Sequence, residues 1–109
     1  MAKKIAKKPR PKLRKATDDA MTIRSASGKT GQIREEVWVN SKGEVVRYNL
    51  AYIHFGLCQA DNGRVLGYDN AHSFHERHSC GVAEKVGFTT YEARANVFYE
   101  EVARLKEKS

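Results

Sequence analysis

The chain has 109 residues, enough for one domain and too few for a second independent core. Hydrophobic residues make up 40%, which suits a small globular fold, and no apolar run approaches the roughly 18 residues a membrane span needs. The net charge of +7 is concentrated: eight of the 20 basic residues fall in residues 1–15 with no acid among them, leaving −1 on residues 16–109.

Taken in chain order, the first feature is that basic run: Lys3, Lys4, Lys7, Lys8, Arg10, Lys12, Arg14 and Lys15. Pro9 and Pro11 bracket Arg10, each proline steers its predecessor away from helix, and like charges repel. The sequence predicts a flexible arm and linker over residues 1–24, followed by a single α+β domain over residues 25–109. Such an arm suits electrostatic contact with nucleic acid, because each Lys or Arg beside a phosphate releases counterions. A solvated solubility tail and a nuclear-targeting patch are the other readings of the same composition. No apolar stretch follows the basic run, so no secretory signal is expected and the protein is assigned to the cytoplasm. Residues 19–31 are small and polar, with Ser25, Ser27, Gly28 and Gly31, and suit a linker with at most a short strand at residues 21–24. Folding proper is expected to begin near Gln32.

Ile33, Val37 and Val39 alternate as one face of a strand, although Glu35 interrupts that face. The segment Asn40-Ser41-Lys42-Gly43 then predicts a hairpin turn with glycine at positive φ. The strongest strand pattern runs over residues 44–55. Val46, Tyr48, Leu50 and Tyr52 share one face, and this strand should be central. Asp61-Asn62-Gly63 makes a second turn, and residues 64–68 a third strand. Cys58 and Cys80 lack CxxC spacing and are expected to be reduced thiols rather than a disulfide or a metal site.

Near the C-terminus, Thr89-Thr90-Tyr91-Glu92 matches a capping box with Thr89 as N-cap. Tyr91, Ala95, Phe98, Val102 and Leu105 then recur at helical spacing. The predicted fold is therefore α+β: a small antiparallel β-meander of three to four strands packed against one C-terminal α-helix, with a disordered basic N-terminal arm.

One segment carries chemistry, residues 67–78, which holds three of the four histidines. Asp69, His72, His75 and His78 recur every third residue. On a helical turn all four share one side, whereas in an extended chain His72 and His78 share a face and His75 points away. Three readings follow. Imidazole ligates zinc-like ions, but the HExxH pattern is missing. Metal-free acid–base chemistry suits a pair of imidazoles, one taking a proton from an RNA 2′-hydroxyl and one protonating the departing 5′-oxygen. That reaction also needs a cation at the phosphate, for which Arg77 stands between His75 and His78, and Arg47 or Arg64 can approach from the sheet. A purely structural loop is the third.

The stretch Leu66-Gly67-Tyr68-Asp69-Asn70, the His/Arg cluster ending Arg77-His78, and Gly81 three positions later resemble the TumE family, small toxins of bacterial and archaeal toxin–antitoxin pairs. The order of strands, YDN segment, histidine-rich loop and C-terminal helix is similar over residues 32–105. The family more often carries His-Arg-His at the end of the cluster, where this chain has Glu76-Arg77-His78 and places His75 one position earlier. The resemblance implies a growth-inhibiting toxin whose partner is a cognate antitoxin, usually a DNA-binding protein encoded nearby. Joined to the residue chemistry, it gives an RNA-directed, metal-independent endoribonuclease without cofactors or a membrane partner. His75 and His78 would be acid and base with His72 beside them, Arg77 the phosphate clamp, Asp69 the orienter of a histidine, and Tyr68 a stacking ring or a hydroxyl donor. The different-class alternative is a non-catalytic nucleic-acid-binding or adaptor module that uses the basic arm.

Overall fold

The computed structural model describes residues 12–108. Six strands precede one helix: β1 (Arg14–Arg24), β2 (Thr30–Val39), β3 (Val45–Ile53), β4 (Arg64–Asp69), β5 (Glu76–Ser79), β6 (Val82–Lys85) and α1 (Tyr91–Lys108). The strands form one sheet in chain order, every neighbouring pair antiparallel, so the meander runs to six strands rather than three or four. β3 lies inside the sheet between β2 and β4, as its apolar alternation requires.

The core is the covered face of β2–β4 with the stripe of α1. Ile33, Tyr48, Leu50, Tyr52, Leu66 and Tyr68 meet Phe98 and Val102, and Tyr91, Ala95 and Leu105 pack at its margin. The register explains this: Leu50 stands opposite Tyr68 and Tyr52 opposite Leu66, so alternation sends all four side chains to α1. Glu35, the break in the β2 pattern, faces the helix too, and it accepts hydrogen bonds from the hydroxyls of Tyr91 and Tyr99, the latter at 2.9 Å. A carboxylate on an apolar face is tolerated when donors meet it there.

Four local expectations change. First, residues 14–24 are a strand, not arm or linker. β1 carries no apolar stripe, and only Ile23 packs against the core. Its backbone ladder to β2 makes the strand, helped by Lys15 to Glu36 at 2.7 Å and Arg34 to Asp18 at 3.2 Å. The arm residues Lys3, Lys4, Lys7, Lys8 and Arg10 lie outside the described residues. Second, β5 and β6 form an additional hairpin around Cys80-Gly81, both at positive φ (41° and 86°), the geometry of a two-residue turn whose twist matches paired strands. Third, Cys58 and Cys80 are joined in a disulfide, not reduced. The meander places the β3–β4 loop and the β5–β6 turn at the same end of the sheet, so cysteines 22 positions apart become neighbours. Fourth, the N-cap is Thr90, not Thr89: Thr90 Oγ1 accepts from Ala93 N at 3.1 Å. No helix among the described residues is long and apolar enough to cross a membrane.

Candidate functional site

The YDN segment ends β4 and the histidine cluster opens β5, so the register between these strands sorts the candidate residues. Tyr68 stands opposite Arg77, Asp69 opposite Glu76, and Gly67 opposite His78. Neighbours along a strand point to opposite faces. Asp69, Glu76 and His78 therefore emerge on the uncovered face, and Tyr68 and Arg77 on the face that carries α1.

On the uncovered face, His78 Nε2 lies 2.9 Å from Asp69 Oδ2. Arg64 Nη1 approaches the same oxygen at 3.4 Å, while its Nε donates to Asp61 at 2.7 Å. Asp69 Oδ1 accepts from the Ala71 N–H at 3.2 Å, which fixes the carboxylate plane. Gly67 makes room for this arrangement, because a Cβ there would come within 2.7 Å of Arg64 Cδ and 3.2 Å of the Leu50 carbonyl. Asn70 completes the segment: its side chain accepts from Tyr48 N at 3.0 Å and donates to the Val46 carbonyl at 2.9 Å, tying the β4 exit to β3.

The same face continues toward β2. A shallow depression lined by Glu36, Trp38, Arg47, Asn49, Asp69 and Ala71 joins the Asp69–His78 pair to an indole. Arg47 lies 4.9 Å from the Trp38 ring centre and Lys15 Nζ 5.0 Å from it, so two cations flank one aromatic surface. Lys15 also pairs with Asp18 at 3.2 Å and with Glu36, which offsets much of its charge. Lys12 and Arg14 are exposed.

On the covered face, Arg77 is already engaged. Its Nη2 donates to Glu101 Oε2 at 2.5 Å, its Nε to the Tyr68 hydroxyl at 3.2 Å, and Glu84 lies 3.6 Å away. The Tyr68 hydroxyl in turn donates to Glu101. Hydrogen bonding to Glu101 holds the Arg77 guanidinium still more firmly protonated. Burial, reinforced by Glu101, pushes the Tyr68 phenol up, so it acts as a donor and not as an oxyanion. Together these groups bolt α1 to β4 and β5.

His75 belongs to neither group. Its Nδ1 lies 2.9 Å from the Tyr48 hydroxyl, and its ring stacks on Phe88 with centroids 3.9 Å apart. Burial and then the charge of Arg94 lower its pKa, so the neutral ring is favoured. His72 is exposed in the β4–β5 loop with no hydrogen bond or ion pair among the described residues. The six predicted residues are thus split four ways: Asp69 with His78, Tyr68 with Arg77, and His75 and His72 each apart. Sequence reasoning did not single out Trp38, Glu76 or Glu101. Strand parity with Asp69 and His78 is the signal that would have found Glu76, while Trp38 needed the β2–β3 register and Glu101 the placement of α1.

Comparison with known proteins finds no matching family model, no matching curated protein and no matching solved structure.

Proposed function

We propose that the chain acts on RNA as a toxin-class endoribonuclease whose chemistry is centred on Asp69 and His78, with a cognate antitoxin as its protein partner. The observation that carries this reading is the 2.9 Å approach of His78 to Asp69 beside Arg64, on the face of the sheet that α1 leaves open. The carboxylate lies beside the imidazole and orients it. The imidazole takes the 2′-hydroxyl proton as the 2′-oxygen attacks phosphorus, and the bond to the 5′-oxygen breaks. Arg64 takes the cation role first assigned to Arg77, which faces the other side. His72, in the loop between the strands that carry the pair, is the candidate for protonating the leaving oxygen. The depression running from Asp69 to Trp38 and Arg47 suits a single strand, with a base on the indole and phosphates near the guanidiniums. The toxin class and the antitoxin partner rest on the resemblance of the YDN-to-RH stretch to the TumE family, and the cytoplasm is the compartment proposed with them.

The test is cleavage of labelled single-stranded RNA by the purified protein in chelator. His78→Ala should lower the rate by roughly 10²–10⁴-fold with an unchanged circular-dichroism spectrum. Trp38→Ala should weaken binding more than it slows the saturated rate. Cleavage at full rate by folded His78→Ala overturns the assignment. Tight binding without any cleavage by the unaltered protein favours instead a non-catalytic nucleic-acid-binding module, for which the Trp38 platform is the supporting observation.

A further inference from the structure

We propose that Asp69, Glu76 and His78 form a binding site for a divalent transition-metal ion of the zinc type. Asp69 closes β4, Glu76 opens β5 directly opposite it, and His78 follows two positions later on the same face. One ligand atom from each lies within 4.8 Å of the other two. Ligand bonds to zinc of about 2.0–2.2 Å put donor atoms roughly 3–4 Å apart, so small side-chain adjustments bring all three onto one ion.

Three features of this cluster have no account in packing alone. Two carboxylates occupy a directly opposed cross-strand pair, where like charges repel. The half-buried Glu76 carboxylate has no hydrogen bond or ion pair among the described residues. His78 Nε2 is shielded from solvent and lies close to Asp69 without the alignment of a hydrogen bond. A dication among them offsets the repulsion, partners Glu76 and occupies the Nε2 lone pair. The neighbouring protein cations fill that role only for Asp69, which Arg64 reaches at 3.4 Å while holding Asp61 at 2.7 Å. Lys85, across the ladder from Glu76, places its ammonium 4.5 Å from the Phe74 ring centre.

The donor set indicates the class of ion. An imidazole with two carboxylates suits zinc or its first-row neighbours, whereas magnesium and calcium favour oxygen ligands. Three protein ligands leave a fourth position open for water or an anion. The Ala71 N–H on Asp69 Oδ1 supplies the outer contact that orients a ligating carboxylate. This inference goes beyond the cleavage reading and shares Asp69 and His78 with it. An ion held by Nε2 and Asp69 takes the imidazole lone pair, so occupancy and proton transfer at that nitrogen exclude each other.

The experiment uses the full chain, freed of metal by chelator and dialysis, titrated with cobalt(II) and followed by visible absorption, with zinc(II) as competitor. Expected is saturation at one ion per chain and displacement by zinc. Glu76→Gln should weaken binding by at least the ~10-fold typical of even an outer-contact change, His78→Ala should abolish the band, and His72→Ala should leave both intact. No saturable binding, or binding that survives Glu76→Gln and His78→Ala unchanged, overturns the proposal. Glu76→Gln is nearly isosteric on a half-exposed strand, so the test stands even where His78→Ala folds poorly. RNA cleavage is measured separately, so failure of either proposal is distinguishable from failure of the other.

Discussion

Glu101→Gln tests whether α1 is held to the sheet through the Arg77 guanidinium. The carboxylate accepts from Arg77 at 2.5 Å and from the Tyr68 hydroxyl, with 16% of its side chain exposed. The amide keeps the shape and loses the charge. Hydrogen bonds to charged groups contribute roughly 1.5–3 kcal/mol each, and breaking a fully buried ion pair costs roughly 3–5 kcal/mol. Two features pull the value down: Arg77 is 28% exposed, and Glu84 remains 3.6 Å from it. A loss of about 2 kcal/mol at neutral pH is expected, the lower part of the charged hydrogen-bond range. With a urea dependence of about 2 kcal/mol per molar, the unfolding midpoint falls by about 1 M. The pH dependence gives a second signature. Burial alone would raise the Glu101 carboxyl, but hydrogen bonds from Arg77 and Tyr68 outweigh it and hold the group below its ordinary value. A depressed folded-state value means the contribution is complete above the unfolded value, about 4.3, and is lost as pH falls through the folded one. The gap between the two proteins should therefore be full at neutral pH and should narrow below about pH 4. A gap of the same size in acid and at neutrality, or none at neutrality, refutes the bolt.

Phe98 is fully buried, edge-on to Tyr68 at 6.4 Å, so Phe98→Ala should cost roughly 3–5 kcal/mol in the same urea assay, and an unchanged midpoint would detach the stripe from the core. The Cys58–Cys80 bond closes a 22-residue separation, worth about 3 kcal/mol by loop-closure entropy, so reductant or Cys58→Ser should lower stability by that order. Two reactive thiols in the unreduced folded protein would contradict the bond, and in a reducing cytosol the increment is lost. Deleting residues 1–11 removes five cations, and if they meet single-stranded RNA the salt dependence of log K should flatten by up to about 3.5 units. An equal slope assigns binding to the sheet face.

The parts of the fold legible in the sequence are those whose side chains reveal burial. Phe98 and Val102 at helical spacing, and Tyr48, Leu50 and Tyr52 at strand spacing, announce the two surfaces that meet in the core. β1 is silent because an edge strand is held by its backbone ladder: Asp18, Asp19, Ala20 and Thr22 say nothing of pairing with β2. β5 and β6 are four residues each and largely charged or small. Their turn places Cys80 at a positive φ where Asn or Asp is the usual signal. The capping box slipped by one position because two threonines precede Tyr91, and only the geometry at Ala93 N selects Thr90.

At the site, composition marked the right segment but could not sort it. A spacing of three is one face of a helix and two faces of a strand, and β5 is a strand. Its register then gives the motif two different tasks. Tyr68 and Arg77 turn toward Glu101 and secure α1, while Asp69 and His78 turn outward beside Arg64. The division has an experimental consequence. Loss of activity in Arg77→Ala accompanies a loosened helix and appears as a lowered unfolding midpoint. Loss in His78→Ala concerns the open face, where no core side chain is disturbed. Equal phenotypes in a growth assay would therefore have different causes, separable only when stability is measured beside activity.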